Sequence, residues 1–138
     1  MKHKNFVQYR EVPLFPSSLC PSHPNSVDLV IAMLEQVITF HAGIKFIHIG
    51  ADEVWHMGLC EKCKTRLEDG ETKEDLFLKH IRKVVDIIKV KWPGLNVIMW
   101  DDMLRDMDEA TLQSKFLNIN KIDRKYPIEK FFLFQRII

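Results

Sequence analysis

The chain has 138 residues, 46% of them hydrophobic, and a formal net charge of +1. Those values suit one soluble globular domain, or part of a larger one, with enough apolar material for a core. They exclude a general nucleic-acid binder, because no basic stripe stands out over the first hundred residues, and no apolar run reaches the length of a membrane span.

In chain order, residues 1–26 read as irregular. Pro13, Pro16, Pro21 and Pro24 forbid a regular helix and predict an extended, turn-rich connection. Asn25 with Asp28 has the spacing of a capping box. Val27, Val30, Ile31, Leu34, Val37 and Ile38 then repeat as one buried helix face, and Gly43 suits a helix end, so a helix is expected over about 26–41. An apolar run at about 45–50 predicts a buried strand, and residues 51–71 a long loop of the kind that is often functional. Thr72 with Asp75 marks a second helix start. That helix is expected to bury Phe77, Ile81, Val84, Ile88 and Trp92 before Pro93-Gly94 ends it.

A second apolar run, Leu95 to Trp100, predicts another strand, and a short helix is expected near 108–117 with Asp106 and Glu109 at its start. Strands separated by helices of this length imply parallel pairing through right-handed crossovers, hence an α/β sheet or barrel. Residues 121–138 are basic and aromatic without a helical or strand period. They read as a divergent tail, either a surface that meets a membrane or partner or, the favoured reading, a non-native C-terminus. The N-terminus lacks the apolar stretch of a secretory signal, and three cysteines are too few for a disulfide framework. The expected setting is reducing, cytoplasmic or nuclear.

The chemistry concentrates where the strands end. Phe46-Ile47-His48-Ile49-Gly50 leads into the adjacent carboxylates Asp52 and Glu53, followed by Trp55. The second run ends in Trp100, Asp101 and Asp102. Two parallel strands would bring these acids to one rim, where the sites of α/β folds lie. Paired carboxylates can divide acid and base labour, the requirement of glycoside hydrolysis. Clustered carboxylates can instead hold Mg²⁺ or Mn²⁺. The indoles favour the first, since sugar rings stack their C–H faces on them. The plainer alternative is that the acids cap loops or pair with Lys and Arg. His48 is either a hydrogen-bonded interior residue or a group that tunes the acids. Cys60 and Cys63 have zinc-like spacing without a second pair. His56 and Cys20 are conceivable further ligands, but free thiols in a mobile loop are the preferred reading, with no metal and no cofactor assigned.

His48-Ile49-Gly50-Ala51-Asp52-Glu53-Val54 resembles the His-x-Gly-x-Asp-Glu signature of glycoside hydrolase family 20, the β-N-acetylhexosaminidases. Leu19-Cys20-Pro21-Ser22 and Ile98 to Asp106 are similar to one branch of that family, and the resemblance runs from about Phe6 to Leu117. It implies a fragment of a (β/α)₈ TIM barrel, from about the third helix to the fifth strand, over residues 1–120. It further implies retaining, substrate-assisted removal of terminal N-acetylglucosamine or N-acetylgalactosamine from an amino-sugar glycoconjugate. Glu53 would be the general acid, Asp52 would orient the 2-acetamido group, Trp100 would wall the sugar pocket, and Asp102 would accept a hydroxyl hydrogen bond. A complete barrel needs about 250 residues. The chain is therefore expected to be a truncated, inactive form whose exposed barrel edges could associate with a second copy. The alternatives are a non-catalytic partner-binding fragment and a metal-dependent carboxylate enzyme.

Overall fold

The computed structural model describes residues 3–112, 114 and 135–137. The proline-rich start is not irregular. A 3₁₀ turn at Lys4–Tyr9 leads into strand β1 (Arg10–Val12), which pairs antiparallel with β2 (Phe15–Leu19) in the register Arg10 to Leu19 and Val12 to Phe15. Proline is tolerated because this is a two-stranded ribbon: Pro13 lies in the turn, and Pro16 sits where a missing ladder N–H costs little.

Helix α1 (Ser26–Phe40) forms as expected, but the Asn25 side chain makes no capping bond. The entry is held instead by the Ser26 hydroxyl, which donates to the Cys20 carbonyl at 2.6 Å, and by the Asn25 N–H, which donates to His23 Nδ1 at 3.2 Å. Ile31 and Leu34 are buried, whereas Val37 is 45% exposed, so the buried face is narrower than the periodicity suggested.

Strand β3 (Phe46–His48) follows, and the 51–71 segment is not a structureless loop: it contains helix α2 (Glu61–Glu68). Helix α3 (Lys73–Lys91) opens with the expected capping box, Thr72 accepting from the Asp75 N–H and Asp75 accepting from the Thr72 N–H. It buries Phe77, Ile81, Val84 and Ile88 together with Leu76, Leu78 and Val85; Trp92 is the half-buried C-cap, outside the helix.

The crossover delivers β4 (Asn96–Trp100) parallel to β3, with Phe46, Ile47 and His48 opposite Asn96, Val97 and Ile98. Ile47, Val97 and Met99 face the α1 and α3 side chains in one core cluster. Two more bonds extend the ladder past β3: the Ile49 N–H donates to the Ile98 carbonyl at 2.9 Å, and the Trp100 N–H to the Gly50 carbonyl at 3.0 Å.

After β4 come two short helices, α4 (Asp102–Arg105), which was not expected, and α5 (Glu109–Thr111), capped by Asp108 rather than Asp106. Strand β5 (Gln135–Ile137) pairs antiparallel with β4, giving the order β3-β4-β5. The tail was expected to have no regular structure, and these three residues depart from that; the remaining tail residues lie outside the described ones. The molecule is thus α/β with a parallel pair and its helical crossover, and no closed barrel is present among the described residues.

Candidate active site

The turn leaving β3 is left-handed almost throughout. Gly50 has φ +75°, Ala51 +73° and Glu53 +50°. Glycine takes this conformation freely, but Ala51 and Glu53 do not, and each costs on the order of 1 kcal/mol or more to hold there. The surroundings hold it. The Glu53 N–H donates to Asp102 Oδ2 at 2.9 Å, and the Trp55 N–H donates to the Glu53 carbonyl at 2.9 Å. The Gly50 N–H donates to His48 Nδ1 at 3.0 Å. Backbone strain at adjoining carboxylates is what a functional turn would show.

The left-handed turn presents the Asp52 and Glu53 side chains to solvent. Asp52 also lines a cavity of about 350 Å³ with Pro16, Val54, Met57, Phe77 and His80. Trp100 is half-buried on the neighbouring strand with its ring centroid 5.1 Å from that of His48, and Trp55 is 62% exposed. His48 is hydrogen-bonded through Nδ1, and its Nε2 is buried without a partner among the described residues.

Asp102 lies beyond the strand that leads to it. The strand ends at Trp100 and Asp102 opens α4, so it reaches Glu53 from a helical turn. Its Oδ1 has no hydrogen-bond partner among the described residues. Asp101 behaves as the plainer alternative anticipated: it is 6% exposed, is the N-cap of α4 and accepts from Arg105 Nη2 at 2.7 Å. Asp52 and Glu53 therefore share the turn after β3, Asp102 braces it from the start of α4, and the fourth rim acid, Asp101, is an ion-paired structural residue.

These rim acids do not form a cation cage. Among the described residues, the group whose ligand atoms converge is Glu11, Cys20, Cys60 and Cys63, all within 4.8 Å of one another. The three cysteines are free, as expected, but they are drawn together, and Cys63 lies within helix α2 and not in a loop. Cys60 is the N-cap of α2, its Sγ accepting from the Cys63 N–H at 3.4 Å, and Cys20 Sγ lies 3.2 Å from Cys60 Sγ and 3.8 Å from Cys63 Sγ. His56 stays out of the cluster and stacks on Phe15 at 5.0 Å. Glu11 escaped the sequence reading because nothing in its flanking residues signals that a hairpin will carry it to a cysteine pair 49 and 52 positions on. Hydrogen bonding from Cys20 pulls the Cys63 thiol down to about 6 against the opposing effect of burial.

The description "Glycosyl hydrolase family 20, catalytic domain" matches residues 2–123. The chain is 37% identical over 113 residues to Hexosaminidase D of Bos taurus, which covers 81% of this chain and 33% of that protein. It is 39% identical over 113 residues to Hexosaminidase D of Homo sapiens, covering 81% of this chain and 23% of that protein. The chain therefore spans about a third and about a quarter of the length of these two relatives. No solved structure matches it. With the match running across Gly50, Asp52, Glu53 and Asp102, the chain belongs to glycosyl hydrolase family 20, a family whose catalytic domain is a TIM barrel.

Proposed function

We propose that the chain carries part of the catalytic face of an exo-β-N-acetylhexosaminidase that removes terminal N-acetylglucosamine or N-acetylgalactosamine with retention of configuration. The observation that carries this reading is the strained turn at Gly50, Ala51 and Glu53, which offers two adjacent carboxylates and is tied to the end of the next parallel strand by Asp102. Glu53 is the general acid and protonates the leaving glycosidic oxygen. Asp52 orients the 2-acetamido group, whose carbonyl oxygen attacks the anomeric carbon. Its negative charge stabilises the cyclic cation that results, and water then opens that cation with Glu53 as base. Trp100 walls the sugar pocket, and the unpartnered Oδ1 of Asp102 is free to accept a sugar hydroxyl.

In barrel terms the described elements correspond to the third helix (α1), the fourth strand and helix (β3 and α3) and the fifth strand (β4). Two parallel strands supply only part of a pocket wall, and catalysis needs reacting groups held to about half an ångström. The isolated chain is therefore expected to show no turnover. The β3 edge and the exposed Phe40 and Phe46 favour association with a second copy or with the remaining strands of a barrel.

The test is a chimera in which residues 6–117 replace the matching segment of the bovine Hexosaminidase D, assayed on a chromogenic N-acetyl-β-hexosaminide. Turnover that disappears in Glu53→Gln is the expected result. Undiminished turnover in the Asp52→Asn, Glu53→Gln double variant would end the proposal.

A further inference from the structure

We propose that Glu11, Cys20, Cys60 and Cys63 form a structural zinc site that clamps the N-terminal hairpin to the segment leaving Asp52 and Glu53. This inference does not depend on which sugar the rim takes.

The four ligand atoms all lie within 4.8 Å of one another, close enough to share one ion. Zn–S bonds of about 2.3 Å place thiolate sulfurs roughly 3.8 Å apart around a tetrahedral ion. The observed sulfur separations from Cys20 are 3.2 Å to Cys60 and 3.8 Å to Cys63, and Cys63 Sγ lies 3.3 Å from Glu11 Oε2. Only small shifts are needed to admit an ion. Four protein ligands leave no open position, which marks a structural site and not a catalytic one.

The second observation is Glu11 itself. It is 1% exposed, and no Lys, Arg or His pairs with it among the described residues. A buried carboxylate without a cation is costly. Its two oxygens are used differently. Oε1 accepts the N–H groups of Leu59 and Cys60 at 2.7 and 2.9 Å, whereas Oε2 points at the sulfurs. That division orients one oxygen and leaves the other for a metal, as outer hydrogen bonds do in metal sites. Ser22 Oγ lies 3.0 Å from Cys63 Sγ and is itself held by Arg66 at 3.1 Å. Cys60 and Cys63 stand at the N-terminus of the eight-residue α2, where the helix dipole favours thiolates. Three sulfurs and one carboxylate oxygen select zinc over the hard cations Mg²⁺ and Ca²⁺. On binding, the thiol protons leave to solvent, three S–Zn bonds and one O–Zn bond form, and nothing is oxidised or reduced.

The ligands come from β1, the end of β2 and the start of α2. Zinc would therefore fix the hairpin that walls the Asp52 cavity to the far end of the Asp52–Leu59 segment. The test uses the whole chain purified from cells grown with added zinc. Elemental analysis is expected to give one zinc per chain. Exchange with Co²⁺ is expected to give the sulfur-to-cobalt charge-transfer band and the visible bands of a tetrahedral ion. Cys60→Ser and Glu11→Gln should each weaken zinc binding by about tenfold to a hundredfold or more, and Glu11→His, which restores a ligand without the carboxylate, should recover most of it. Zinc below about a tenth of an equivalent in the folded chain would overturn the proposal. So would a Cys20–Cys60 disulfide in protein purified without oxidant, or zinc binding unchanged in both weakening variants. If the variants fail to fold, the cobalt spectrum of the unsubstituted chain decides, and absence of the charge-transfer band refutes the site.

Discussion

Asp102 accepts the backbone N–H of Glu53 at 2.9 Å across 49 positions of sequence. The bond joins the turn after β3 to the first turn after β4, so the acid pair is positioned by the neighbouring strand and not by its own strand alone. A hydrogen bond to a charged group contributes about 1.5–3 kcal/mol, less where solvent reaches it. Asp102→Ala should therefore lower the stability of the chain by about 1–2 kcal/mol in urea titrations. Asp102→Asn should cost less, because its amide oxygen still accepts. In the chimera the same order should appear in kcat. An alanine variant as stable as the parent would show that the bond does not hold the turn.

Ala51 sits at φ +73°, a conformation that costs an alanine about 1–2 kcal/mol and a glycine almost nothing. Glycine also loosens the unfolded chain by about 0.4–1 kcal/mol, which offsets part of the gain. Ala51→Gly should thus stabilise the chain by roughly 0.5–1 kcal/mol. Gly50→Ala should do the reverse. A Cβ there meets Asp52 Oδ1 at an ordinary 3.6 Å, so the cost is conformational and not steric. Paired urea midpoints decide the matter, and equal shifts of the same sign in both variants would contradict the strain argument.

What was legible in the sequence is what local pattern controls. The Thr72–Asp75 box, the apolar periodicity through Ile88 and the Pro93-Gly94 stop define α3 almost to the residue, because propensity, capping and burial agree there. The two strands and their parallel pairing follow from the same logic. The hairpin of β1 and β2 was hidden because its prolines argue against regular structure, and only the edge position makes them harmless. Helix α2 was missed because its apolar content is small and its start is capped by Cys60, a residue that ordinary capping preferences do not flag. At the rim, Asp52 and Glu53 were legible from adjacency after a strand. The split between Asp101, paired with Arg105, and Asp102, bonded to Glu53, was not, because it depends on where β4 stops. The cluster of Glu11 with three cysteines is tertiary, and no local spacing encodes it.

The same box makes a quantitative test of α3. Thr72 and Asp75 satisfy each other's backbone N–H groups, so Thr72→Ala should cost about 1 kcal/mol. Asp75→Ala should cost a similar amount. Because the two act as a unit, the double variant should cost clearly less than the two single changes added together. Full additivity in urea titrations would mean that the reciprocal bonds contribute independently.

His80 supplies the pH test. Burial holds its imidazole down at about 4, with Lys83 adding to the effect, and its Nδ1 has no hydrogen-bond partner among the described residues. Arg66 from α2, and Lys79, Arg82 and Asp86 from its own helix, line the space on one side of it, and Asp52 lines the cavity on the other. A charge at His80 would add to a mostly basic group. The folded value lies below the ordinary one of about 6.5, so between these two the unfolded chain binds more protons than the folded one. Stability is then fully present above about pH 6.5, falls as the pH drops through the window, and levels off below the folded value. The whole loss is on the order of 3 kcal/mol. Glu71, whose carboxylate is held below its usual range by Lys79 and Arg66, loses its contribution only at lower pH, in the carboxylate range. Urea midpoints taken from about pH 7 down to about pH 4.5 isolate the histidine from the carboxylates. In His80→Leu the slope across that interval should flatten. An unchanged slope in that variant would assign the acid sensitivity to another group.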